Sequence, residues 1–202
     1  MKYIRKTSAD FKSDFLMNLL LDRGVIKNDK DFLKKYFNPT KNNLLDYRLL
    51  DNIEKAADLI EYHIKNGSKI YLIVDCDVDG FTSAILFYSY IRKNYKDYDF
   101  TIEYHIPEGK EHGLRTLMPL LGEEKKYDLI VLPDAGSNDL KEHEQLKNLG
   151  YDICCLDHHI VSEKSSNAII VNNQSSEQYK NKDLSGVGVV YRLLQLLDER
   201  NG

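Results

Sequence analysis

Three carboxylates stand at alternate positions in Asp75-Cys76-Asp77-Val78-Asp79-Gly80, directly after the apolar run Ile70-Tyr71-Leu72-Ile73-Val74. Like charges crowded this closely repel unless a positive charge sits among them, and hard oxygen ligands at this spacing fit a divalent cation. Asp-x-Asp-x-Asp-Gly also opens an EF-hand calcium loop. That motif needs a preceding helix and a glutamate at its twelfth position, where this chain has Leu86, and the preceding segment reads as a strand. The calcium reading fails on both counts. On these residues alone, a solvated acidic turn capping the next helix stays open.

Two further strand-like runs end in similar chemistry. Residues 129–132 lead into Pro133-Asp134-Ala135-Gly136, and residues 152–156 lead into Asp157-His158-His159. Ligands of α/β sheets gather at the carboxyl ends of the strands. Asp75, Asp77, Asp79, Asp134, Asp157, His158 and His159 are therefore expected along one sheet edge, as a carboxylate and imidazole site for two divalent metals requires. Each has a plainer role available: Asp134 or Asp157 as a helix cap, His158 and His159 as surface histidines. His63 and His143 fall in helical patterns and are expected to be exposed, and His112 lies in a Gly-flanked loop that approaches the site. The small residues of Leu184-Ser185-Gly186-Val187-Gly188-Val189 open the last helix, where backbone amides offer a phosphate or carboxylate site.

The elements that position these groups change character near residue 69. Before it, apolar residues at helical spacing predict helices over 8–23 (Ser8 as a cap, Gly24 as a stop), 29–37 (ended by Asn38-Pro39) and 51–65. After it, strands over 70–74, 100–105, 129–132, 152–156 and 168–171 alternate with helices over 82–94, 114–121, 138–149 and 187–199. Near-continuous apolar strands between helices predict a mainly parallel sheet with helices on both faces, an α/β domain over 68–202, preceded by a helical N-terminal segment, 1–67, packed on its core. Residues 175–183 are polar and read as a mobile surface loop.

Composition sets the outer bounds. In 202 residues, 42% hydrophobic and 30% charged, no run is long enough to span a membrane, and Met1-Lys-Tyr-Ile-Arg-Lys6 is no signal peptide. Cys76, Cys154 and Cys155 are odd in number and lack CxxC spacing, so they read as reduced, mostly buried residues of a cytoplasmic protein. A net charge of −4 argues against gripping nucleic acid along the whole surface but leaves a local groove possible.

The ordered set of motifs resembles the DHH phosphoesterase superfamily, and within it the RecJ branch of single-strand-specific exonucleases. The resemblance rests on Asp75-Cys-Asp-Val-Asp-Gly-Phe-Thr-Ser83, Pro133-Asp-Ala-Gly-Ser137, Leu156-Asp-His-His-Ile160, Val171-Asn-Asn173 and Leu184-Ser-Gly-Val-Gly-Val189. Phe37-Asn-Pro39 and the stretch from Tyr104 to Leu114 add to it. It implies a metal-dependent hydrolase of single-stranded DNA, acting 5′ to 3′ with two Mn2+ or Mg2+ ions, as a monomer. By position, Asp77, Asp79, Asp134 and His158 would ligate metal, with Asp134 bridging and Asp75 assisting. Asp157 would orient His158, and His159 would meet the scissile phosphate or protonate the leaving oxygen. Ser185, Gly186, Gly188, His112 and Arg115, with Lys110, would contact substrate.

Two departures qualify the resemblance. Relatives commonly carry His four residues before the second Asp of the first motif, where this chain has Ile73, so one metal site is expected to be weaker. The family's last ligand Asp and second domain lie beyond Gly202, so an excised N-terminal piece that hydrolyses poorly is expected. Two alternatives stand beside the exonuclease: a DHH phosphodiesterase acting on oligoribonucleotides or cyclic dinucleotides, and a catalytically weak DHH scaffold.

Overall fold

Where helical spacing gives way to apolar runs, the chain lays down β1 (Lys69–Ile73), and four strands follow: β2 (Thr101–His105), β3 (Leu129–Pro133), β4 (Asp152–Asp157) and β5 (Ile169–Asn172). All pair in parallel in the order β2-β1-β3-β4-β5. β3, central and covered on both sides, is buried at every position, which is why it reads as an unbroken apolar run. The reversal of order between β1 and β3 is a topological switch point, where such sheets leave a crevice outside the strands' carboxyl ends.

This computed structural model describes residues 15–107, 113–121 and 125–202. The chain divides into two compact units, Met1–Leu45 and Asp46–Gly202. In the first, α1 (Phe15–Asp22) is followed by Gly24 at φ +68°, and α2 (Lys30–Phe37) starts at Asp29, whose Oδ1 accepts from Phe32 N at 2.7 Å. Ser8 lies outside the described residues.

The second unit holds the sheet with α3 (Ile53–Lys65), α4 (Val78–Asn94), α5 (Met118–Leu121), α6 (Leu140–Asn148) and α7 (Gly186–Asn201). The helical stretch drawn from sequence to residue 67 thus straddles the boundary between units, because α3 packs on α7 and β5. One face of the sheet carries α4 and α7; the other sets Ile73, Ile130, Leu132, Ile153 and Cys155 against Leu114, Leu117, Leu146 and Tyr151. Full burial of each such aliphatic side chain contributes about 1.5–3 kcal/mol. No helix among the described residues is long and apolar enough to cross a membrane.

Three expectations need correction. α4 starts at Val78, four residues before the expected 82, because Asp77 caps it by accepting from Gly80 N at 2.8 Å. His63 and His143 are buried, with partners for both ring nitrogens: Ser68 and Asp152 for His63, Ser165 and Cys155 for His143. The stretch 175–183 lies at the surface as expected but is anchored, with Ser176 and Tyr179 fully buried beside exposed neighbours. The cysteines are free, and burial raises the Cys154 thiol to about 12, leaving it inert as a nucleophile.

Candidate metal centre

The strands end where the acids begin. Asp75, just beyond β1, is 4% exposed, and its Oδ1 accepts from Cys76 N at 2.8 Å. Gly80 lies on the Asp75 backbone so closely that any Cβ there would collide with it, so the turn from β1 into α4 requires glycine. Asp79, in the first turn of α4, reaches the start of α7. Its two oxygens accept from Gly186 N at 2.8 Å and Val187 N at 2.9 Å, the favourable place for a carboxylate at a helix N-terminus.

Asp134 follows β3 with φ +75°, a left-handed conformation costly for a residue with a side chain. Its side chain is buried, and Oδ1 accepts no hydrogen bond. Burial, and next the charge of Asp79, push its pKa up to about 8. Gly186 packs against this carboxylate so tightly that a Cβ would overlap it. Asp134 is thus held in a strained, desolvated position with a lone pair unused.

His158 faces that lone pair. Its Nδ1 lies 3.0 Å from Leu184 O, and a carbonyl only accepts, so Nδ1 carries the proton. Nε2, on the other side of the ring, lies 3.3 Å from Asp134 Oδ1 and 3.7 Å from Asp79 Oδ2. An imidazole nitrogen set between two carboxylates is a donor set that fits a divalent metal. Asp134, His158 and His159 converge this way, and so do Asp75, Asp77 and Asp134, each set offering ligand atoms within 4.8 Å of one another. Asp134 is common to both sets.

Asp157 was expected to orient His158; it orients His159 instead. Its Oδ1 lies 2.7 Å from His159 Nδ1 and accepts from the backbone amides of His158 and His159, while Oδ2 accepts from Ser137 N at 2.9 Å. Burial alone would raise the Asp157 carboxyl, but the hydrogen bonds from His159 and Ser137 outweigh it and hold it near 2. The bond to Asp157 raises His159 to about 9, an imidazolium at neutral pH. The backbone carbonyl of Leu184 takes the role assigned to Asp157, and no side-chain pattern announces a carbonyl.

Other expected contacts are turned inward or away. Ser185 caps its own helix through Gly188 N at 3.3 Å, and the Gly186 amide is held by Asp79 rather than offered outward. Arg115, 78% exposed, lies 3.5 Å from Glu142. His112 and Lys110 lie outside the described residues. Ile73 is buried against Leu114 and Leu117, which gives the position usual for His an apolar role here. Missed from sequence was Asp139, which accepts from Leu114 N at 2.7 Å; with Asp75, Asp77 and His159 it borders a cavity of about 280 Å³.

Comparison with known proteins places the chain in a family. The family model for the DHH family, N-terminal domain, matches residues 69–202. YorK, an SPbeta prophage-derived protein of Bacillus subtilis (strain 168) provisionally named a single-strand DNA-specific exonuclease, is 37% identical over 99% of this chain and 33% of its own length. The single-stranded-DNA-specific exonuclease RecJ of the same organism is 30% identical over 89% of this chain and 23% of its own. A crystal structure of exonuclease RecJ bound to manganese superposes with a TM-score of 0.65 and 27% identity, covering 79% of this chain and 40% of that one. The chain spans a third or less of the length of these curated relatives.

Proposed function

The chain belongs to the DHH family, and from that premise we propose that it forms the metal-binding core of an exonuclease hydrolysing single-stranded DNA, 5′ to 3′, with two Mn2+ or Mg2+ ions. One observation carries the reading: Asp134 Oδ1, buried, glycine-lined and without a hydrogen bond among the described residues, faces His158 Nε2 at 3.3 Å. Asp77, Asp79, Asp134 and His158 would hold the metals, with Asp134, common to both ligand sets, as the shared ligand and Asp75 in support. Bound there, divalent cations supply Lewis acidity, lowering the pKa of water and screening charge on a phosphoryl group. His159, kept cationic by Asp157, faces the cavity and donates to the scissile phosphate or its leaving oxygen. Free thiols at Cys76, Cys154 and Cys155 fit a reducing compartment such as the cytoplasm.

Calorimetric titration of the chain with Mn2+ tests the site. Micromolar binding that Asp134→Asn abolishes is the expected result; no binding by the unsubstituted chain sinks the proposal. With 5′-labelled single-stranded DNA and Mn2+, slow release of mononucleotides is expected, absent in the same variant. Preferential degradation of short oligoribonucleotides would move the substrate class to small RNAs.

A further inference from the structure

Lys182 sits in the loop joining β5 to α7, in a stretch whose polarity reads as exposed. Its ammonium is turned onto main-chain carbonyls, donating to Asn173 O at 2.7 Å, Ser176 O at 2.7 Å and Gln174 O at 3.3 Å. Three acceptors match the three protons of an ammonium, and charge-assisted bonds of this kind are short and strong. The Gln174 side-chain amide donates back to Lys182 O at 2.6 Å, and Asn173 Nδ2 donates to Asn181 O at 3.3 Å. The two arms of the loop, 173–176 and 181–182, are thereby tied around one cation.

Each arm carries a different side of the metal centre. Upstream, Asn172 Nδ2 donates to Ser137 Oγ and to His159 O, both at 2.9 Å, and the Ser137 amide holds Asp157. Downstream, two residues past Lys182, Leu184 O meets His158 Nδ1, and the Gly186 and Val187 amides hold Asp79. The spacing between the arms therefore bears on where Leu184 O and the first amides of α7 stand relative to the end of β4, and so on how His158 and Asp79 are held.

We infer that Lys182 is a positioning residue for the metal centre: by fixing the two arms, its ammonium keeps Leu184 O on His158 Nδ1 and the opposite edge of the ring, Nε2, aimed at Asp134 and Asp79. Without the charge, three carbonyls lose their donor and the loop relaxes. The His158 ring is then free to take the other tautomer, whose Nε2–H cannot ligate a cation. The inference rests on the metal-binding reading above.

Lys182→Met keeps the length and apolar stem while removing the ammonium. In calorimetric titration of the 202-residue chain, Mn2+ affinity is expected to fall about tenfold, the effect usual for partners that orient a ligand. Long-range 1H–15N spectra of the metal-free variant should show His158 losing its single Nδ1–H pattern. Unchanged affinity and tautomer beside a lower melting temperature would make Lys182 merely structural and overturn the inference. Should the variant not fold, the unsubstituted chain decides: its Lys182 ammonium resonance is expected to shift as Mg2+ is added, and a resonance unmoved through saturation overturns it. Asp134→Asn, run in parallel, separates the two ideas. If that variant still binds Mn2+ normally, the metal-site reading fails; if it loses binding while Lys182→Met does not, only the role of Lys182 falls.

Discussion

His63 and His143 lie in helices flanking the sheet, and both of their ring nitrogens meet protein partners. His158 and His159 lie at the carboxyl end of β4, and each has Nδ1 held, by Leu184 O and by Asp157, while the ring turns toward carboxylates or the cavity. The first pair is the more deeply buried, yet it is chemically satisfied. Burial alone therefore does not mark a functional histidine. What marks it is a nitrogen held in one protonation state by one neighbour and aimed at acidic groups by the fold.

The sharpest way to break this contrast is at the carboxylate both metal sets share. Asp134→Asn should lower Mn2+ affinity roughly 100-fold or more, the upper end of what loss of a single supporting group does and a minimum for a ligand. Its melting temperature should not fall, because asparagine matches the size of the buried carboxyl, which burial already keeps largely protonated, and Oδ1 has no hydrogen bond among the described residues to lose. A variant that binds normally, or that unfolds, would return Asp134 to a structural role.

Next in size is an exchange between the two histidine pairs. His158→Ala is expected to weaken Mn2+ binding by tens-fold with stability changed by less than about 1 kcal/mol, since the ring is partly exposed. His143→Ala should do the reverse, lowering stability by about 2–4 kcal/mol in urea melts and leaving Mn2+ affinity intact. If both variants lose affinity alike, the distinction fails.

The pH dependence of stability sharpens it further. Burial lowers His143 to about 4 against the small opposing effect of Glu142, so the folded state keeps the ring neutral while the unfolded chain takes up a proton near 6.5. The folded pKa is depressed, so the stability this ring contributes is full above pH 6.5. It drains away as pH falls toward 4, by about 3 kcal/mol in all. His143→Gln should flatten that slope; an unchanged slope would assign it to other groups. Smallest of all, Arg115→Ala should shift stability by less than about 0.5 kcal/mol, because its pairing with Glu142 is at the surface. Any effect should appear in affinity for single-stranded DNA and not for Mn2+.

Much of the fold was legible because local signals agreed with it. β3 lies centrally under cover on both faces, and its apolar run said so; α2 starts at Asp29 and stops before Pro39, as capping and proline geometry require. The early start of α4 was less legible, because the aspartates that read as a loop serve as its cap and first turn. The burial of His63 and His143 could not be read locally, since Asp152 and Cys155 belong to a strand far along the chain. The anchoring of the loop 175–183 was hidden for the same reason: Lys182 within it and Asn173 before it satisfy backbone carbonyls, and polarity alone does not tell that use from solvation.

By itself the sequence determined which acids and histidines follow which strands, because a strand's residues leave the sheet in chain order and carry their chemistry to one edge. Only the tertiary structure decided how those groups pair. The placing of β3 between β1 and β4, and the return of α7 across that edge, put Leu184 O on His158, Asp157 on His159 and the α7 amides on Asp79. Hydrogen bonds act over about 3 Å and sequence spacing says nothing at that range between segments brought together only by the packed core.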